Sequence, residues 1–471
     1  MFIGRDRELG VLSALLRQVA DGVGEDRPGR CLLIRGRRRI GKSMLAEEFI
    51  QRSGLPALFF SAADGQPSDH LGRLREDIAA SSLPDSEVYT EHPPASWSGA
   101  LDALADALPL DEPSIVVLDE VPYLMRDVPG FEGYLQRAWD RFLSRHPVLL
   151  LLIGSDLAMM EALNDYERPF HQRGTEMVVG PLTPADIGDM AGLEPADAFD
   201  AALVTGGLPL LCGEWPRGGT VWDYLGGALD SPVSALQVSA ERSLSSEFPP
   251  AAQARKVLTA IGNGERTFTN IQRSGEHIAL SSLNAALKTL ESKRLVNAEL
   301  PLSLKASKDR RYSIADPYLR FWLSFIGPNM TELERQRPDL VLDRIKASWS
   351  AWRGRAVEPL VREALWRLLP DERIDVAPGA VGAYWTRTND VEIDVVVADR
   401  GPIAKEVRAI GSIKWRDEAP FDVRDLTRLE NQRSALTDGP LPLIAVSRSG
   451  VTAKRVDGAY GPEDLLAAWR S

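Results

Sequence analysis

Gly36-Arg37-Arg38-Arg39-Ile40-Gly41-Lys42-Ser43 fits the pattern G-x-x-x-x-G-K-[ST] without a mismatch. The pattern cradles phosphates where a strand delivers it and a helix follows, because the N–H groups at the helix start form the anion site. Both flanks are present. Cys31-Leu32-Leu33-Ile34 is a short apolar run suited to a buried parallel strand, and Ser43 to Ile50 favours a helix with Leu45, Phe49 and Ile50 toward one side. Gly36 and Gly41 permit the tight backbone path around Arg37, Arg38, Arg39 and Ile40. Lys42 is placed to reach the β- and γ-phosphates, and the Ser43 hydroxyl to ligate Mg²⁺. The expected cofactors are ATP or ADP with Mg²⁺.

Working outward, Leu9, Leu12, Leu15, Leu16 and Val19 fall at helical spacing before the loop, and Leu58-Phe59-Phe60 suits a second strand after it. Asp64 to Pro94 carries too many acidic and turn residues to assign; a helix is expected over Ser96 to Leu108. Ser114-Ile115-Val116-Val117-Leu118-Asp119-Glu120 then reads as a buried parallel strand that delivers two carboxylates to the C-terminal edge of a sheet, where ligands of such folds bind. Asp119 is the candidate Mg²⁺ residue and Glu120 the candidate catalytic residue that polarises the attacking water. A third buried strand, Val148 to Ile153, ends in Gly154-Ser155, and Ser155 can sense a γ-phosphate there or merely close a turn. Arg173, in the run Arg168 to Arg173, is a candidate for stabilising transition-state charge in cis or trans; the trans case demands an oligomer.

The 471 residues suggest about three domains. A net charge of -12 excludes a protein coated in basic surface, though not a local basic patch. Two cysteines, Cys31 and Cys212, cannot build a disulfide framework and fit a reducing cytoplasm. The charged start Arg5-Asp6-Arg7-Glu8 is unlike a signal peptide, and no apolar run approaches the roughly 18 residues of a membrane span. A cytoplasmic chain without membrane contact is expected. His70 and His92 have no partner at metal-ligand spacing and read as surface residues; His277 reads as structural.

At Pro181-Leu182-Thr183-Pro184 the character turns helical, with Thr183 suited to an N-cap and Pro184 to the first turn. Gly206-Gly207-Leu208-Pro209 interrupts it. Phe2-Ile3-Gly4-Arg5 with Glu8-Leu9, the arginine-rich loop, Leu118-Asp119-Glu120, Gly154-Ser155 and Gly206-Gly207-Leu208-Pro209 together resemble the archaeal-type ATPases, a STAND-related branch of P-loop NTPases found also in bacteria. The resemblance covers about the first half of the chain. It implies that Pro209 lies in a helical lid near the adenine and that Gly4-Arg5 packs near the base.

Residues 251–320 hold twelve Lys and Arg against six Asp and Glu, a local excess of positive charge in an acidic chain. Ser281-Ser282 opens a helix with Leu283, Ala286, Leu287 and Leu290 on one face, and a strand and a basic hairpin, Lys305 to Arg311, follow. The pattern is that of a winged helix-turn-helix. Double-stranded DNA is the expected partner, with Lys288 on the outer face of the recognition helix and Lys305, Lys308, Arg310 and Arg311 in the wing. The resemblance offers an equal alternative, an internal packing module that couples nucleotide state to shape and answers to a protein partner.

Asp316 to Trp322 leads into a last α/β region. It resembles the restriction-endonuclease-like superfamily, PD-(D/E)XK, in which an acid on one strand and an acid-x-Lys on the next hold Mg²⁺ for phosphodiester hydrolysis. Glu358, Asp394 and Lys414 match three positions. The fourth is Ser412, a poor ligand for a hard cation, so the site is expected to be degenerate.

The sequence therefore predicts an α/β protein in four parts: a P-loop core over 1–180 with a parallel sheet, a helical lid over 181–249, a winged helix over 250–326 and an endonuclease-like domain over 340–471. Its expected function is a Mg²⁺-dependent, ATP-hydrolysing switch coupled to DNA or a protein partner in DNA-related or defence functions. The alternatives are a DNA-binding regulator with a structural nucleotide and a metal-dependent nuclease.

Overall fold

Five short strands with apolar interiors organise the first of the two compact units into which the chain divides, Met1–Pro181 and Leu182–Ser471. The computed structural model describes residues 3–87, 89, 93–248, 252–275, 278–437 and 439–470. His92 and His277 lie outside the described residues.

In the first unit, α1 (Asp6–Asp21) precedes β1 (Arg30–Arg35), α2 (Lys42–Ser53), β2 (Ala57–Ser61), α3 (Pro67–Ala79), α4 (Trp97–Asp106), β3 (Ser114–Asp119), α5 (Val121–Asp127), α6 (Phe131–Arg141), β4 (Val148–Gly154), α7 (Leu157–Ala162) and β5 (Thr175–Val178). The strands pair in parallel in the order β2-β3-β4-β1-β5. Leu32 stands opposite Leu151 and Ile34 opposite Ile153. Every residue of β3 and β4 is buried, as a parallel strand covered on both faces requires.

Helix α3 lies in the stretch that the sequence left unassigned. Pro67 occupies its first turn, and the side chains of Gln66 and Asp69 form a reciprocal cap. Its inner face buries His70, Leu71, Leu74 and Ile78. His70 is therefore not a surface residue: it is 2% exposed, with Nε2 3.2 Å from Asp127 Oδ2 on α5. A histidine at helical spacing from Leu74 is drawn inside once a carboxylate satisfies its ring nitrogen.

The second unit begins with α8 (Pro184–Ala191), capped reciprocally by Thr183 and Asp186, and α9 (Pro195–Thr205), α10 (Pro209–Gly213), α11 (Val221–Asp230) and α12 (Ala235–Glu247) follow. Next come α13 (Gln253–Gly262), α14 (Phe268–Ser274) and α15 (Leu280–Ser292) with an antiparallel pair, β6 (Val296–Glu299) and β7 (Arg311–Ile314). The chain continues through α16 (Pro317–Phe321), α17 (Met330–Glu334) and two longer helices, α18 (Pro338–Ala356) and α19 (Glu358–Leu368). A mixed sheet closes it: β8 (Ala380–Trp385), β9 (Glu392–Ala398) and β10 (Val407–Lys414) run antiparallel, α20 (Val423–Arg433) crosses over, and β11 (Leu443–Ser447) and β12 (Gly458–Tyr460) add in parallel before α21 (Pro462–Ala467). The sheet order is β12-β11-β10-β9-β8.

Within this unit the three-helix module is fastened to the mixed sheet. Trp385 Nε1 donates to the Asp309 carbonyl at 2.8 Å, the Leu302 amide to Ala383 at 2.8 Å, and Ser303 forms a bridge with Ile403. The buried rings of Phe321, Phe325 and Trp349 meet the half-buried Trp352, with centroids 5.3 to 6.5 Å apart, and join the helices into one core. No helix among the described residues is long and apolar enough to cross a membrane.

Candidate functional site

The loop between β1 and α2 leaves the sheet at its C-terminal edge. Gly36 cannot carry a side chain, since a Cβ there would lie 2.5 Å from the Val179 carbonyl oxygen, and Gly41 caps α2 with φ +89°, a conformation that favours glycine. Lys42, at the first position of α2, is 5% exposed and curls back over the loop, donating from Nζ to the carbonyls of Gly36 (2.9 Å) and Arg37 (3.0 Å). Burial pushes its ammonium below the usual lysine range, while Glu120 and Asp119 pull the other way. Arg39 holds φ +64°, and Arg38 Nη2 lies 3.2 Å from the Tyr123 hydroxyl. Arg5, from the N-terminal segment, donates to the Ile40 carbonyl at 2.9 Å, so Gly4-Arg5 is docked against the loop itself.

The ends of β3 and β4 complete the arrangement. Ser43 Oγ donates to Asp119 Oδ2 at 2.7 Å, and Ser61 Oγ, at the end of β2, lies 3.4 Å from the same oxygen. Burial raises the Asp119 carboxyl, with the Ser43 hydroxyl opposing. Glu120 takes the left-handed conformation, φ +54°, turning its side chain away from the path of the strand. Ser155 at the end of β4 holds that carboxylate, with Oγ donating to Glu120 Oε2 at 2.9 Å. Because β4 lies between β3 and β1, Ser155 sits between the loop and Glu120 at a reversal of strand order, where α/β sheets bind ligands.

Lys42, Ser43, Asp119, Glu120 and Ser155 are thus brought to one sheet edge. Arg173 is not. It precedes β5 at the opposite edge, about 20 Å away at 3.3 Å per strand residue, and is bidentate to Asp140 at 2.8 and 2.9 Å. A cis role toward this chain's own loop is incompatible with that position. Pro209 opens α10 directly after Gly206 and Gly207, both at positive φ, within the second unit.

The hydroxyl–carboxylate pair of Ser43 and Asp119 suits Mg²⁺, which binds through one or two protein oxygens and fills the rest of its octahedron with water and phosphate oxygen. Among the described residues no group of three His, Cys, Asp or Glu side chains is arranged to hold a metal unaided.

In the mixed-sheet domain, Asp394, Ser412 and Lys414 do converge. Asp394 Oδ2 accepts from Ser412 Oγ (2.9 Å) and the Ile413 amide (2.8 Å), while Lys414 Nζ donates to Ser412 Oγ (2.6 Å) and lies 3.7 Å from Asp394. Arg362 ties Glu358 to this group, 3.5 Å from its carboxylate and 3.2 Å from the Asp394 carbonyl. Burial raises the Glu358 carboxyl. The constellation is an ion-pair cluster in which Asp394 Oδ2 already accepts from the Ser412 hydroxyl and the Ile413 amide.

A family described as "Archaea bacterial proteins of unknown function", DUF234, matches residues 322–429. An uncharacterized protein of Methanocaldococcus jannaschii is 24% identical over 444 residues, 93% of this chain and 92% of that protein. Among solved structures, a Walker-type ATPase of Pyrococcus abyssi covers 68% of this chain and 96% of its own length at 20% identity and a TM-score of 0.47. The ORC2 protein of Aeropyrum pernix, solved in ADPNP–ADP complexes, covers 73% and 95% at 15% identity and 0.43. Cdc6p of Pyrobaculum aerophilum covers 70% and 94% at 16% identity and 0.32.

Of the expected DNA contacts, Lys288, Lys305, Lys308 and Arg310 are exposed. Arg311 is not available: it is 8% exposed, bonded to Glu392 Oε1 at 2.5 Å and Asn389 Oδ1 at 2.6 Å, and stacked 4.5 Å from the centroid of Trp385. It fastens β7 to the mixed sheet. Sequence reasoning missed Ser61, because a lone serine at a strand end carries no signal until the sheet order places it beside Asp119.

Proposed function

We propose that the chain is a Mg²⁺-dependent ATP-binding and ATP-hydrolysing switch whose second unit carries the output. The observation that carries this reading is the 2.7 Å hydrogen bond between Ser43 and Asp119 beside the glycine-framed loop over which Lys42 is folded: phosphate with a divalent cation is the ligand that uses hydroxyl, carboxylate and lysine together. Lys42, now satisfied by two backbone carbonyls, exchanges them for phosphate oxygens. Ser43 and Asp119 would hold Mg²⁺, which would supply charge neutralisation on those oxygens. Glu120, oriented by Ser155, accepts a hydrogen bond from the attacking water, and the docked Arg5 segment provides a base contact. The exposed Lys288, Lys305, Lys308 and Arg310 are the duplex-DNA face. A serine at position 412, where a hard cation would call for a carboxylate, supports a docking role, without phosphodiester hydrolysis, for the mixed-sheet domain.

Steady-state ATP hydrolysis with and without duplex DNA tests this reading beside two variants. Lys42→Ala is expected to abolish nucleotide binding. Glu120→Gln is expected to bind ATP and lose ~10²–10⁴-fold in turnover, the usual range for a positioned base. Unchanged hydrolysis in Glu120→Gln would refute the role given to that residue, and DNA stimulation that disappears in it would connect the basic face to the loop.

A further inference from the structure

A cavity of about 490 Å³ opens inside the second unit, enclosed by the α13–α14 connection, β7, α16, α18, the start of α19 and β8. It shares no residue with the phosphate loop. Five guanidiniums line it, those of Arg266, Arg311, Arg320, Arg355 and Arg362, against two carboxylates, Glu299 and Glu358. In a chain of net charge -12 such a local excess of cations is unusual.

Two of the five are committed: Arg311 to Glu392 and Asn389, Arg362 to Glu358 and the Asp394 carbonyl. The others are not saturated. Arg266 approaches Glu392 only to 3.7 Å, and Arg311 already holds that carboxylate oxygen. Arg320 has the Arg355 carbonyl at 3.5 Å and the ring of Trp352 at 5.9 Å, and no ion pair with a carboxylate among the described residues. Burial pushes its guanidinium down to about 10; Glu358 opposes, and the neighbouring Arg266, Arg355 and Arg362 reinforce the shift. Arg355 is exposed at the rim. Clustered cations with few counter-charges repel one another unless an anion joins them, and the planar fork of arginine matches phosphate oxygens in particular. Trp352 and Trp385 supply flat apolar wall beside these forks, and the volume falls within the range of small-molecule sites.

We propose that this cavity binds a nucleoside phosphate, its phosphate held by Arg266, Arg320 and Arg355 and its base against Trp352. Because the wall is drawn from both the three-helix module and the mixed-sheet domain, occupancy fastens one to the other. It would make the exposure of the basic wing respond to a second ligand, independently of the phosphate loop.

Isothermal titration calorimetry on the full chain carrying Lys42→Ala, with AMP, inorganic phosphate and a 5′-phosphorylated dinucleotide as separate probes, tests the assignment. One AMP site is expected, weakened tenfold or more by Arg320→Gln and by Arg355→Glu; the second change, at an exposed position, keeps the test valid where the first impairs folding. Absence of AMP binding, or binding indifferent to Arg355→Glu, overturns the site. Inorganic phosphate binding as tightly as AMP overturns the nucleoside part. A dinucleotide binding more than tenfold tighter than AMP replaces the free nucleotide by a nucleic-acid end.

Discussion

Asp119 shows at the level of one residue how a candidate binding site is stored as instability. Its side chain is 3% exposed and burial raises its carboxyl, so the folded chain favours the protonated form. The sign follows from linkage: the contribution to stability is full below the ordinary carboxylate range and is lost as pH rises through the raised value. At pH 7.5 the ligand-free protein therefore carries the cost of a desolvated charge, relieved only in part by Ser43. Asp119→Asn removes that cost with little change of shape. In thermal melts at pH 7.5 without nucleotide, the variant is expected to melt higher by ~2–4 °C, the shift that ~1 kcal/mol gives a unit of this size, with the gap closing at acid pH. ATP with Mg²⁺ should then raise the melting temperature of the wild type and leave the variant unmoved. A variant that melts below the wild type at pH 7.5 would contradict the burial argument. This carboxylate was legible in the sequence because an apolar strand ending in acids announces both its burial and its edge. Ser61 and Arg5 were harder to read, since Ser61 meets Asp119 from 58 positions away and Arg5 reaches a carbonyl 35 positions on, distances over which local pattern carries nothing.

The β6–β7 pair illustrates the same limit at the level of elements. Helical spacing announced α15, and a strand and a basic hairpin were expected after it, yet a string of basic residues from Lys305 to Arg311 cannot reveal which of them points outward. The structure separates them: Lys305, Lys308 and Arg310 are exposed, while Arg311 is turned inward onto Glu392, Asn389 and the Trp385 ring. The partner strand β8 was itself unread, because Ala380-Val381-Gly382-Ala383-Tyr384-Trp385 contains a glycine and no polar alternation. Two different outcomes follow for two kinds of substitution. Changing Lys305, Lys308 and Arg310 together to Glu should remove duplex binding measured by fluorescence anisotropy. Replacing them singly by Ala should lower the slope of log affinity against log salt by about 0.9 for each phosphate no longer neutralised. Arg311→Ala should leave that slope alone and instead lower the melting temperature, because it removes the ion pair to Glu392, the hydrogen bond to Asn389 and the cation stacked on the Trp385 indole. Triple reversal without effect on DNA would make the module a packing element.

Across the whole second unit, a buried ion network plays for α9 the part that Arg311 plays for the β6–β7 pair. Arg353 of α18 and Asp200 of α9 are each 2% exposed and meet at 3.0 Å; Arg353 also reaches Asp417 at 2.7 Å, and Arg448 bonds to Asp200 (3.1 Å), Asp197 (3.2 Å) and Asp417 (2.8 Å). Phe199, one position before Asp200, packs edge-on against Trp415 and Trp469, so α9 is held to the mixed-sheet domain by charge and by aromatic contact together. The charged residues that join these elements within the second unit are scattered between positions 197 and 448, a spacing over which local sequence pattern carries nothing. Burial dominates at Asp200 and pushes its carboxyl up to about 6 despite the two guanidiniums, whose pull is the smaller effect. Its stabilising contribution is therefore full at pH below about 4 and lost as pH rises through about 6, so Asp200→Asn should gain on the wild type across that window in pH-dependent melts. Arg353→Met takes away a charge and leaves Asp200 with Arg448 alone. Breaking a buried pair from one side typically costs ~3–5 kcal/mol, whereas replacing both partners by apolar groups is often close to neutral. Calorimetry of Arg353→Met should show that loss, and addition of Asp200→Leu should recover a large part of it. The stabilisation of the phosphate-loop unit by ATP should persist in both. Loss of nucleotide stabilisation in Arg353→Met would show that the ion network reaches the loop and belongs to the switch.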